Sequence, residues 1–454
     1  MKRPLKLLVI GGVAAGTKAA SKARRDDPSM EITIITEEQY ISYAGCGLAY
    51  YIGGVVENRD KLFARSPETF REKHRIAVLI GHRAERINTY DRTVRVTRLA
   101  DDQTIVMPYD RLLIATGASP VIPRVEGINA NGVFTLHTIP DADNILHYIA
   151  ERRVKSAFII GGGYIGVETA ENLLRRGISC TLCEIEGQLL PKFFDPDMGK
   201  LISEHATSQG VEILTGTTVE RIERSPEGFV TAVSAGGRAV ECELVICAAG
   251  VRPNVHLAKE ARIVIGPTGA IRVDRRMETS MKNVYAAGDC AESVNLVSGK
   301  PCWYPLGSTA NKQGRVAGAN IAGGRKTFEG IVGTAIVKVF DLTAGRTGLT
   351  EQEALAAGFN AVTATVTSPG RVNYYPGGGD VTLKLVADGA TGRALGAQAV
   401  GSDSVDKVID TMAAALTGKL TVFALTNIDL AYSPPFSTPL GAVITAAGVI
   451  EEKL

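Results

Sequence analysis

The stretch KLLVIGGVAAG runs an apolar strand into Gly11, Gly12 and Gly16, and a helix-forming segment from Thr17 to Arg25 follows. A second strand, EITIIT, then ends beside Glu37 and Glu38. Strand, glycine turn, helix, strand and acid, in that order, make a dinucleotide-binding unit. The glycines let a helix N-terminus come close to a pyrophosphate, whose charge the free N–H groups and the helix dipole hold. The whole device then recurs in SAFIIGGGYIGVETAENLLRRGISCTLCE, with Gly161, Gly163 and Gly166 in the turn and Glu184 at the end of the second strand. A carboxylate there accepts both hydroxyls of an adenosine ribose and repels a 2′-phosphate, which predicts NADH in preference to NADPH. Arg175 and Arg176, on the helix before it, read as a solvated face.

Two such units in one chain point to a flavin and a nicotinamide placed so that hydride passes between them. RLLIATGASP ends an apolar strand in Thr116-Gly117, and NVYAAGDCAE ends another in Gly288-Asp289. In the second, an acid after a glycine is suited to a ribityl hydroxyl, and the helix start behind it to a phosphate. At 454 residues the chain has room for two or three cores. A formal charge of +2 gives no basis for nucleic acid or membrane binding, and no apolar run approaches the ~20 residues that span a bilayer. MKRPLKLLVI starts like a signal peptide, but the run breaks at Gly11-Gly12 and strand is the better reading. Seven cysteines without framework spacing predict reduced thiols and the cytoplasm, and six histidines offer no metal pair.

GGVAAG, a cysteine segment around Cys46, ATGASP, GGGYIGVE and YAAGDCAE follow one another along the chain. The set is similar to the pyridine nucleotide–disulfide oxidoreductases, the glutathione reductase-like flavoproteins, over essentially the whole sequence. The resemblance implies an α/β fold with two Rossmann-like domains, for FAD and NAD, and an α+β C-terminal dimerisation domain. It divides the chain into a split FAD domain (1–120 and 246–330), an NAD domain (121–245) and a dimerisation domain (331–454). The cofactor residues it implies are Gly11, Gly12, Gly16, Glu37, Thr116, Gly117, Gly250, Gly288 and Asp289 for FAD, and Gly161, Gly163, Gly166, Glu168 and Glu184 for NADH. Glu168 is placed near the nicotinamide, holding a lysine that the sequence does not identify.

Cys46 lies in ISYAGCGLAYYIGG, between two glycines. Most members of the family carry two cysteines separated by four residues, but the partner positions here are Ile41 and Tyr51. A single thiol accepts two electrons only when its sulfur is already bonded to something reducible: a mixed disulfide, a persulfide or a sulfenic acid. The segment resembles the single-cysteine branch, which contains coenzyme A-disulfide reductases, NADH oxidases and NADH-dependent persulfide reductases. It departs from that branch at Gly45, usually Ser or Asn, and at Ala49, usually Pro. A helix opening after Cys46 predicts a stabilised thiolate. Cys180 and Cys183 lie on one strand with side chains on opposite faces, so packing is their expected role.

RVNYYPGGG and AYSPPFSTP resemble the family's C-terminal segments, and carry over Tyr374 and Tyr432 as residues that complete the partner subunit's site in a homodimer. Spacings of three and four put Lys18, Lys22 and Arg25 on one helix face. By resemblance that face, with Ser42, Arg65, His74 and Asn311, lines a channel for coenzyme A, as substrate or bound ligand. The expected activity is NADH-dependent reduction of coenzyme A disulfide, persulfide or polysulfide through Cys46. The alternatives are an NADH oxidase with Cys46 cycling through sulfenic acid, and a flavin redox sensor or electron-transfer protein.

Overall fold

The computed structural model describes residues 3–454. The first unit is a parallel sheet in the order Val284–Ala286, Arg111–Ile114, Lys6–Ile10, Glu31–Ile35, Ala77–Leu79. The second repeats it in mirror listing as Glu212–Leu214, Ser179–Cys183, Ser156–Ile160, Leu244–Cys247, Val133–Thr135, again all parallel. Strands covered on both faces read as continuous apolar runs, and LLVI and AFII are such runs, buried throughout. The repetition extends past the motifs, because each unit also carries a three-stranded antiparallel meander, His82–Pro108 in the first and Val219–Glu241 in the second. The boundary expected at 245 falls inside Leu244–Cys247, which belongs entirely to the second sheet. A strand cannot be cut where its ladder continues, and the chain leaves that sheet only after Cys247.

The third layer is an antiparallel five-stranded sheet in the order Ala335–Val339, Leu342–Gly348, Ala394–Gly401, Asp380–Asp388, Ala361–Pro369. The Val405–Thr417 and Ala442–Glu451 helices pack on it around Leu383, Leu385, Ile409 and Met412. The short helix after Cys46, Leu48–Ile52, belongs to the first unit by sequence but packs into the core of the second. Leu48, Ala49 and Ile52 share a buried cluster with Val167, Ala170 and Leu173, and with Val337 and Val339 of the third layer. Burying Ile52 fully contributes about 1.5–3 kcal/mol to that three-way contact. Cys46 is thereby carried to the junction of all three layers. Among the described residues, no helix is long and apolar enough to cross a membrane.

Candidate active site

The glycine turns superpose through their backbone bonds. Gly11 N–H donates to the Ile35 carbonyl at 2.9 Å, and Gly161 N–H to the Cys183 carbonyl at 2.7 Å. Gly12 therefore corresponds to Gly162, and Gly16 to Gly166. A Cβ on Gly16 would overlap the Gly11 carbonyl oxygen, and one on Gly166 the Gly161 carbonyl oxygen. No side chain caps the helices Ala15–Asp26, Tyr164–Leu174 and Gly307–Ile321, whereas Ser66 and Thr138 cap Pro67–His74 and Ile139–Arg152. Bare helix starts over glycine turns fit the pyrophosphates of two dinucleotides. Gly163, the residue before the second helix, has open space where its Cβ would be, and Val13 takes its place in the first unit.

Glu184 is buried, accepting the Gly162 N–H at 2.7 Å on one oxygen and the Glu186 N–H at 3.0 Å on the other. The corresponding residue in the first unit is Thr36, not Glu37. The Thr36 hydroxyl accepts the Glu38 N–H at 3.3 Å, and its methyl carbon faces Gly12. Glu37 lies one residue beyond the strand-end position and is exposed, while Glu38 turns inward to accept the Tyr43 hydroxyl at 2.8 Å. The expected ribose carboxylate is thus out of register in the first unit.

Thr116 and Gly117 are fixed by a residue that the sequence did not single out, Asn254. The Thr116 hydroxyl donates to the Asn254 carbonyl at 2.7 Å, and the Asn254 side-chain amide donates to the Thr116 carbonyl at 2.9 Å. This knits together the two crossings between the sheets, where Gly250 takes a φ of +101° and its carbonyl accepts the Val121 N–H. Gly288 donates its N–H to the fully buried Gln313 at 2.8 Å, and Trp303 donates its indole N–H to the Asp289 carbonyl at 2.7 Å. Burial pushes the Asp289 carboxyl up to about 6. Neither Gln313 nor Trp303 sits in a recognisable motif; only the folded chain brings them to Gly288-Asp289.

Cys46 is exposed in a single turn of 3-10 helix, Gly45–Gly47. The loop before it is stapled to the first glycine turn, since Ser42 donates its N–H to the Gly12 carbonyl at 2.8 Å and a Cβ on Gly12 would strike Ile41. The expected stabilised thiolate is not what the surrounding protein groups favour. Partial burial pushes the thiol up, and the carboxylates of Glu168 and Asp289 add to it. The following helix has only five residues, so its dipole is a weak counterweight. Among the described residues, no lysine pairs with Glu168. Glu168 instead accepts the Tyr50 hydroxyl at 3.0 Å, and the nearby Lys338 pairs with Glu171 one turn later.

The basic residues divide. Burial, and then the charges of Arg65, Arg25 and Lys73, hold the His74 imidazole below the usual range. Lys18 is exposed, but Lys22 is paired with Asp26 at 2.6 Å, so its charge is already spoken for. Ser42 is half-buried beside them, with a φ of +52°, and Asn311, exposed, donates its side-chain amide to the Gly307 carbonyl at 2.8 Å. Tyr374 and Tyr432 are both exposed and adjacent, the Tyr432 hydroxyl raising that of Tyr374. Cys180 and Cys183 pack into different cores on opposite sides of their strand, and burial pushes the Cys180 thiol up to about 12. Among the described residues, no three His, Cys, Asp or Glu side chains are grouped to hold a metal ion.

Residues 5–314 match the family model for pyridine nucleotide-disulphide oxidoreductases, and residues 334–442 match that for their dimerisation domain. The chain is 39% identical over 446 residues to an NAD(P)H coenzyme A polysulfide/persulfide reductase of Pyrococcus horikoshii, covering 98% of each. It is 35% identical over 433 residues to an NADH oxidase of Methanocaldococcus jannaschii, covering 95% of this chain and 96% of that one. The solved structure of an NAD-dependent persulfide reductase from A. fulgidus is 41% identical, with a TM-score of 0.96 over 99% of this chain and 83% of its own.

Proposed function

The chain belongs to the pyridine nucleotide-disulphide oxidoreductases, and on that premise we propose that it is an FAD-dependent, NADH-using reductase that opens coenzyme A disulfide or coenzyme A persulfide with Cys46. The observation that carries this is the exposed thiol at the junction of two dinucleotide folds, with the buried Ile41 and the Asp143-bonded Tyr51 where a second cysteine would stand. Such a thiol needs an external sulfur. In attack on coenzyme A disulfide, the Cys46 thiolate forms a mixed disulfide and releases one coenzyme A thiolate. Two electrons then cleave the mixed disulfide to the second coenzyme A thiolate and regenerate Cys46. FAD, when bound, would supply those electrons, with NADH as the source of hydride.

Gly11, Gly12 and Gly16 would hold the FAD pyrophosphate, with Thr116-Gly117 and Gly288-Asp289 along the rest of the cofactor; Gly161, Gly163, Gly166 and Glu184 would hold NADH. Arg25 and Arg65 supply the cations suited to coenzyme A phosphates, with the His74 imidazole, held toward its neutral form, beside them. Tyr374 and Tyr432, from the dimerisation domain of a second copy, would reach the departing thiolate.

Under anaerobic conditions NADH oxidation should require added coenzyme A disulfide, and the intact mass should fall by one coenzyme A when the as-isolated protein is reduced. Steady NADH consumption in air without any disulfide, faster than with coenzyme A disulfide, would establish the oxidase instead. The two strand-end positions give a paired expectation. Thr36→Glu should slow FAD loss in mild denaturant by supplying the missing ribose carboxylate, while Glu184→Thr should erase roughly 1–2 kcal/mol of preference for NADH over NADPH. Unchanged FAD retention, together with unchanged coenzyme preference, would remove both residues from nucleotide recognition.

A further inference from the structure

Glu168 lies on the Tyr164–Leu174 helix with its carboxylate on the Tyr50 hydroxyl. Tyr50 follows Cys46 by four residues in a continuous helical run, Gly45–Gly47 into Leu48–Ile52, so the ring and the thiol share a face. The charged groups around Glu168 are of one sign or already committed. Glu171, one turn on, takes Lys338 on one oxygen and the Phe340 N–H, at 2.8 Å, on the other. Tyr164, on the same helix, is half-buried and carries no charge, and behind it Arg346 is bonded to Glu353 at 2.6 Å. Asp403 and Asp406 face the pair across a cleft that Tyr50, Glu168 and Lys338 also line. The cleft, at about 550 Å³, has room for many waters, so the Glu168 carboxyl can exchange its proton with solvent.

We propose that Glu168 and Cys46 share one negative charge, Glu168 being ionised while Cys46 is a thiol and protonated while Cys46 is a thiolate, with Tyr50 as the positioning residue. The proton balance is Cys46–SH plus Glu168–COO⁻ giving Cys46–S⁻ plus Glu168–COOH, with no change in electron count. When the thiolate is consumed in attacking a disulfide, the Glu168 proton leaves to the cleft. Each group bears on the other: burial, then Glu168, raises the thiol, and burial raises the Glu168 carboxyl to about 7 against the Tyr50 hydrogen bond. Of the two carboxyls that bear on Cys46, Glu168 is the one bonded to the helical run that carries the thiol, through Tyr50. The proposal rests on Cys46 being the nucleophile of the function above.

The test is the pH profile of Cys46 alkylation by iodoacetamide in the FAD-loaded protein, first reduced and freed of reductant and any released thiol, followed by mass. The unchanged protein should show two inflections, the lower one belonging to Glu168. Glu168→Gln should leave a single inflection, shifted down by roughly one pH unit, with alkylation about twofold faster at pH 7, where Glu168 is half protonated, and about fivefold faster at pH 8. Tyr50→Phe removes the bond that favours the carboxylate, so its lower inflection should move up in pH. A profile unaltered in both variants, or shifted to higher pH in Glu168→Gln, would overturn the proposal. Alkylation requires neither NADH nor coenzyme A, so a failure of coenzyme A disulfide turnover would count against the function and leave this coupling standing.

Discussion

Replacing Cys46 with serine is expected to lower turnover of coenzyme A disulfide by roughly 10³-fold or more, because a hydroxyl neither attacks nor exchanges with a disulfide sulfur. The same variant should keep NADH-dependent reduction of an artificial dye within about twofold, since no group of the nucleotide sites is touched. Cys46 is exposed, and a Cβ on the neighbouring Gly45 would meet nothing within 4 Å. The fold therefore loses little when the sulfur becomes oxygen. Stopped-flow measurement of NADH oxidation, with dye and with disulfide in turn, separates the two outcomes. Equal loss of both would show that Cys46 supports the fold or the cofactor, and retained disulfide turnover would refute its role as nucleophile.

Lys384→Met is expected to destabilise the protein by roughly 3–5 kcal/mol, the usual consequence of removing one partner from a buried ionic group. Lys384, on the Asp380–Asp388 strand, is 5% exposed and reaches Glu351 at 2.8 Å, Asp197 at 3.0 Å and Asp195 at 3.3 Å. Asp195, 2% exposed, also accepts the Glu351 N–H at 2.9 Å and the Gln398 side-chain amide at 2.5 Å. The ammonium thus ties the start of the Pro196–Ser208 helix, in the second nucleotide unit, to the third sheet. Without it, carboxylates converge on an apolar methionine. Denaturant unfolding monitored by circular dichroism measures the loss, and adding Asp195→Asn to Lys384→Met should recover part of it. A loss below 1 kcal/mol would mean that water replaces the ammonium.

Local features were legible where the chemistry depends on neighbours along the chain. The two glycine turns are short-range constraints, and the paired overlaps at Gly16 and Gly166 show why no side chain is tolerated there. Glu184 was legible because it is the acid immediately after its strand, with Glu186 set off from it by one residue. The first unit offered two adjacent acids, and the choice of Glu37 missed by one residue. The strand-end register is set by which carbonyl meets Gly11, and that is a contact between segments. Tyr50 stood in plain view beside Cys46, but its partner Glu168 lies 118 residues away.

By itself the sequence determined two dinucleotide folds, a single cysteine in the redox segment and its need for an outside partner atom, because periodicity, glycine spacing and the absence of a second cysteine are properties of short stretches. The tertiary structure alone decided what surrounds that thiol. Packing the Leu48–Ile52 helix against the second unit brings Glu168 toward Cys46, and burial makes two like charges costly together. Electrostatic environment is a sum over groups distant in sequence and near in space, and it exists only once the layers have closed.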